Sequence, residues 1–182
     1  MKLGLASGLL LVVLAACAAP RESFVAERLG EIGETRRAGH LVLHEASDGL
    51  VPVVICGDPF AGLVDEPNTG VAEALRLPPG FPPARFILTP ETEARHGERL
   101  VLVFYAEDPN LEVRRLCRDL NSVELGAPDD RLTLPAAFCV GKRVARGAAG
   151  VTPRPRAMDV RFKSFLDRVL NQVFPFHVRL RR

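Results

Sequence analysis

A wide apolar stripe near the C-terminus restricts the fold of this chain more than any other feature. Met158, Phe162, Phe165, Leu166, Val169, Leu170 and Val173 recur at the three- and four-residue spacing of one helical face. Arg161, Lys163, Ser164, Asp167, Arg168 and Asn171 fill the other side, and Pro175 stops the run. A helix of roughly four turns with so broad an apolar face has to be covered by another layer. The segment Leu100 to Tyr105 (Leu-Val-Leu-Val-Phe-Tyr) supplies a candidate. It is apolar at every position, as expected of a strand buried on both faces at the centre of a sheet.

The other segments extend that sheet. Leu41–Leu43 and Val51–Cys56 flank the turn signal Ser47-Asp48-Gly49 and read as a hairpin. Arg85–Leu88 and Leu132–Val140 are further strands; Pro135 places part of the latter at an edge or a bend, because proline gives a ladder no donor. Val71–Arg76 reads as a short helix, and the Pro-Pro-Gly-Phe-Pro-Pro run at 78–83 as an extended surface connector. Gly141-Lys142-Arg143 is a turn, followed by a basic, Gly-rich stretch to about residue 150. The expected class is α+β: a mainly antiparallel sheet with the C-terminal amphipathic helix packed on one face.

The N-terminus carries a different signal. One cation at Lys2 precedes the uncharged run Leu3–Leu14, which is shorter than the roughly 20 residues a bilayer-spanning helix needs. A charge, a short apolar run and then small residues is the pattern of a cleaved secretion signal. Leu14-Ala15-Ala16-Cys17 resembles the lipobox of bacterial lipoproteins. The resemblance implies that residues 1–16 are removed and that the thiol of Cys17 receives a diacylglycerol. It also implies a membrane attachment facing the periplasm, and Ala18, standing where an Asp would retain the protein at the inner membrane, favours the outer membrane. In general layout the remainder is similar to exported lipoproteins of proteobacteria, a likeness that assigns no activity.

Residues 17–38 are expected to form a lipidated tether or a short helix, with Phe24, Val25, Leu29 and Ile32 at helical spacing but Gly30 and Gly33 interrupting. Residues 39–182 are expected to be one soluble domain. A composition of 47% hydrophobic and 25% charged residues is that of a globular chain. An oxidising compartment permits a disulfide, and Cys56, Cys117 and Cys139 allow three single bridges. Cys117 and Cys139 are the nearer pair and the favoured one.

Catalytic signals are sparse. His40 and His44 share a face but lack a third ligand at telling spacing, and solvated histidines flanking a strand are the simpler reading. Cys56 lies beside a turn and on paper could be activated by a histidine, or could be a buried apolar residue. Glu91 with Glu93, or Asp129 with Asp130, would serve as acid–base pairs only if their separation suited it, and both pairs sit in loop-like sequence. No redox Cys-x-x-Cys, nucleophile elbow or phosphate-cradling glycine loop occurs in residues 17–182. No cofactor, catalytic residue or metal site is assigned.

Charge is more informative. Residues 21–100 carry a net charge of −5, residues 101–182 one of +6, and residues 142–182 one of +9. Arginine predominates, which suits bidentate contact with phosphate or carboxylate. Behind a lipid anchor the available anions are lipid headgroups, lipopolysaccharide phosphates, peptidoglycan carboxylates and acidic protein surfaces; nucleic acid is not expected there. Arg154, Arg156, Arg179, Arg181 and Arg182 are the candidate anion contacts. The leading expectation is a non-enzymatic module that binds an anionic envelope component. The alternatives are a metal- or Cys-dependent envelope hydrolase and a structural subunit of an envelope assembly.

Overall fold

A computed structural model describes residues 23–27, 49–94 and 97–175. Six strands form one sheet: β1 (Ser23–Glu27), β2 (Leu50–Cys56), β3 (Arg85–Leu88), β4 (Glu98–Val103), β5 (Arg131–Val140) and β6 (Arg143–Pro153). Their order across the sheet is β1-β6-β5-β4-β2-β3. The pairings β1–β6, β6–β5 and β5–β4 are antiparallel, whereas β4–β2 and β2–β3 are parallel. The helices are α1 (Pro67–Ala74), the single turn α2 (Glu91–Ala94), α3 (Pro109–Arg115) and α4 (Val160–Val173), with a 3-10 turn at Leu120–Ser122. The fold is therefore α+β, mainly antiparallel, with the C-terminal helix on one face.

Strand β4 explains how the layers assemble. Leu100 and Leu102 point to one face and Val101 and Val103 to the other, all buried, so an unbroken apolar run from Leu100 to Val103 is what this site requires. On the first face the predicted stripe of α4 buries Phe162, Phe165, Leu166, Val169, Leu170 and Val173. They pack against Leu132, Leu134 and Ala136 of β5 and Leu100 and Leu102 of β4. Asp159 caps the helix by accepting a hydrogen bond from the Phe162 amide at 2.8 Å. On the second face Leu116, Cys117 and Leu120, from the turns after α3, cover Val54, Val101, Val103, Ala137 and Cys139.

Four local expectations give way. Ser23–Glu27, inside the segment read as a tether or helix, is the edge strand β1 and pairs with Gly147–Val151 of β6; pairing occupies backbone groups that β6 would otherwise expose along its outer edge. Strand β2 is no hairpin partner in the described residues. Its neighbours β3 and β4 are both parallel to it, and Gly49 (φ 66°) gives its carbonyl to the Arg85 amide at 2.8 Å. Residues 41–43 lie outside the described residues. Third, Pro135 sits in the middle of a central strand, opposite Ala149. Thr133 turns its carbonyl toward the chain after β4, where it accepts from Tyr105. By alternation Pro135 presents the same side, just past the last β4–β5 pair, Leu102↔Ala136, so the donor it lacks is missing from the β4 side and the ladder with β6 runs on past it. Finally, the Gly-rich stretch after Lys142 is the strand β6, the longest of the sheet.

The small residues of β6 are what let both helical layers close. A side chain at Gly147 would collide with Val113 of α3 on the second face. A Cβ at Gly150 would lie 2.9 Å from Phe165 Cε2 and 3.1 Å from Val169 Cγ2 on the first face. Replacing Gly150 by Val should therefore destabilise the domain by about 1–3 kcal/mol in urea unfolding. Gly97→Ala, where an added Cβ meets nothing within 4 Å, should stay within about 0.5 kcal/mol of wild type. Equal effects of the two changes would contradict this packing.

Candidate functional site

The strands give the domain two unlike ends. One is the rim formed by the carboxyl ends of β2 and β4 together with the start of β5 and the end of β6. The other is the hairpin end, where β5 turns into β6.

The rim is built by loops that leave the sheet sharply. At Gly57 (φ 81°) a Cβ would come within 2.5 Å of the Phe104 carbonyl, so only glycine lets β2 end there. Asp58 then accepts hydrogen bonds from the amides of Phe60 and Gly62, closing a tight loop. Tyr105, in the left-handed region at φ 61°, is held from several sides. Its amide donates to the Thr133 carbonyl at 2.9 Å, its carbonyl accepts from Gly126 at 2.7 Å, and its hydroxyl donates to the Pro59 carbonyl at 3.1 Å. Burial pushes the Tyr105 phenol above its ordinary pKa; nearby Arg154 acts to lower it, and Asp58 and Asp129 to raise it. Arg154 and Arg156 are exposed and follow the end of β6. Among the described residues the rim is nonetheless rich in acid: Asp58, Asp65, Glu66, Glu107, Asp108, Glu124, Asp129 and Asp130 all lie in its loops.

The hairpin end has the opposite character. Gly141 (φ 57°) takes the first of two turn positions, where a tight hairpin favours a positive φ. Lys142 and Arg143 are exposed at the tip, and so are Arg115, the last residue of α3, and Arg118 in the turn that follows. Two devices bring these segments together. Cys117 and Cys139 are joined in a disulfide, with Cα atoms 5.5 Å apart and both residues buried. Arg99, only 3% exposed, donates from Nη2 to the Cys117 carbonyl at 3.1 Å and from Nη1 to the Gly141 carbonyl at 2.9 Å and the Gly97 carbonyl at 3.5 Å. A buried guanidinium is tolerable only where donors find acceptors, and here Nη1 and Nη2, though not the buried Nε, reach carbonyls of three chain segments and tie them together. Glu98, paired with Val140 across the sheet, and Asp119, next to Arg118 in the chain, are acidic residues at the same end.

The sequence-predicted residues are thus divided rather than gathered. The Cys117–Cys139 pairing is the one present. Arg154 and Arg156 lie at the rim, while α4 ends on the hairpin side, with Phe174 against Phe138 at a ring separation of 5.1 Å. The cations of residues 142–175 therefore do not form one patch. Cys17, the four histidines, Arg179, Arg181 and Arg182 lie outside the described residues. Cys56 is half-buried at the edge of the second core cluster, and burial, then the carboxylate of Glu91, push its thiol above the ordinary pKa. A thiol nucleophile needs the opposite shift. Asp129 spends a carboxylate oxygen on the Arg131 amide at 2.7 Å, a turn-forming role. No cluster of three or more His, Cys, Asp or Glu able to hold a metal occurs among the described residues.

Arg99 is the residue that sequence reasoning missed. Its partners come from three distant segments, and the only local sign was a cation adjoining the apolar run of β4. Comparison with protein families finds no matching model, and comparison with curated proteins and with solved structures finds no match. Replacing Arg99 by Met should cost about 2–4 kcal/mol in urea unfolding, because buried carbonyls lose their donors. A change within 0.5 kcal/mol, the ordinary range for a surface position, would show that the guanidinium does not hold this end together.

Proposed function

We propose that this chain is a lipoprotein tethered to the bacterial envelope through Cys17, facing the periplasm, and that its folded part binds an anionic envelope component without catalysing a reaction. The observation that carries the reading is Leu14-Ala15-Ala16-Cys17, placed after one cation and a short uncharged run. A buried disulfide agrees with it, since such bonds persist in oxidising compartments. No helix among the described residues is long and apolar enough to cross a membrane, so a lipid on Cys17 would supply the attachment.

The chemistry of the bound component follows from the exposed arginines, which suit phosphate and carboxylate groups on lipid, lipopolysaccharide, peptidoglycan or an acidic protein. Arg154 and Arg156 leave β6 just beyond Val151, the partner of Ser23, so they belong to the end from which the tether departs. The carboxylates around them reduce what they contribute to attracting an anion, and screening by salt should weaken the whole interaction.

The proposed attachment is tested by growing cells with an alkyne-tagged fatty acid. The wild-type chain should take up the tag and Cys17→Ser should not. A wild-type chain without the tag, or equal uptake by the variant, would overturn the reading.

A further inference from the structure

We propose that the hairpin end is the surface by which the tethered domain docks onto an anionic phospholipid bilayer. The proposal rests on the lipid-anchored reading, and goes beyond it by assigning the contact to Arg118, Lys142 and Arg143 rather than to the arginines at the rim.

Charge polarity is the first argument. Along the strand axis the described charges are unevenly shared: the carboxylates of the rim outnumber its cations Arg131, Arg154, Arg156, Arg161 and Lys163, whereas cations predominate at the hairpin end, although neither grouping is continuous in sequence. An anionic surface therefore attracts one end of the domain and repels the other. Each cation brought close to such a surface strengthens the attraction roughly fivefold.

Preorganisation is the second. The Cys117–Cys139 bond and the Arg99 hydrogen bonds to Cys117 and Gly141 hold the Arg118 turn beside the Lys142–Arg143 tip. Cations already mounted on one rigid scaffold lose little freedom on contact.

Reach is the third. Cys17 precedes Ser23 by six residues, a span of up to about 20 Å. Ser23 pairs with Val151, and the hairpin tip at Arg143 lies about 27 Å further along β6. The tether is long enough for the domain to lean over until its tip meets the bilayer. Because the contact is then intramolecular, even a weak surface would be occupied.

The chain provides its own reporters. Its three lysines are Lys2, Lys142 and Lys163, so a protein processed at Cys17 keeps one at the hairpin tip and one in the first turns of α4, both exposed. Lys163 marks the rim side, since its neighbour Phe162 packs on Phe60 in the loop after β2. The full chain, extracted from membranes in detergent, would be inserted from outside into vesicles of phosphatidylcholine alone or doped with phosphatidylglycerol. Amine acylation at each lysine is then followed by mass spectrometry.

At low salt, Lys142 should react roughly threefold or more slowly on the doped vesicles than on the neutral ones, with Lys163 unchanged, and molar salt should erase the difference. The variant carrying Arg118→Ser and Arg143→Ser, both surface positions, should lose the protection while staying on the vesicles. Equal Lys142 rates on both vesicles, or protection of Lys163 instead, would overturn the docking while leaving the anchor intact. Release of the chain from neutral vesicles would overturn the anchored reading and the docking with it.

Discussion

The buried guanidinium of Arg99 is the contact on which the character of this domain most depends. A charge with 3% exposure inside a sheet is costly unless its donors are satisfied, and the acceptors are backbone carbonyls of the β5–β6 turn, the turn after α3 and the start of β4. Two of these segments, the β5–β6 turn and the turn after α3, also carry exposed cations of the hairpin end. The adjacent Cys117–Cys139 bond adds about 3 kcal/mol in the chain-entropy model and fixes the second layer to the central strand. Structure and surface chemistry are thus coupled at one place: what secures the second face also collects positive charge.

The layers above and below the sheet depend on a complementary restraint, the absence of side chains. Strand β6 must pass under α4 on one face and α3 on the other, and it does so with Gly147, Ala148, Ala149 and Gly150. Helices can close from both sides only because these positions fill almost no volume. Among the described residues only short helical pieces lie over the second face, yet that face is buried, because turns and a disulfide complete the cover.

Strongly periodic or strongly apolar segments were legible in the sequence. The α4 stripe, the apolar run Leu100–Tyr105 that contains most of β4, and the strands at Val51–Cys56 and Arg85–Leu88 each announced themselves through hydrophobic pattern. Strand β6 did not, because its packing is done by glycine and alanine, which carry no periodic signal. Strand β1 was hidden for another reason: five residues between polar segments gain a partner only through the long-range pairing with β6. Pro135 argued against a central position, and only the side on which its missing donor falls reconciles it with one. The parallel pairings of β2 depend on which strands meet across the sheet, information that a turn signal at Ser47–Gly49 does not contain. At the candidate site the nearer cysteine pair was the one joined, whereas the grouping of the arginines was not readable. The net charge of this molecule differs between its strand ends, and a count along the chain averages over both.

That difference gives the account its physical content. A rigid body with a net acidic and a net basic end, were it held near an anionic surface as proposed, would take a preferred orientation from electrostatics. The proposed placement at the envelope and the orientation both rest on covalent lipid at position 17. Intact mass spectrometry of the processed protein addresses that point most directly. The account predicts a polypeptide beginning at Cys17 whose mass exceeds that of residues 17–182 by the attached acyl groups. A mature chain that starts elsewhere, or that carries an unmodified thiol at Cys17, would contradict it.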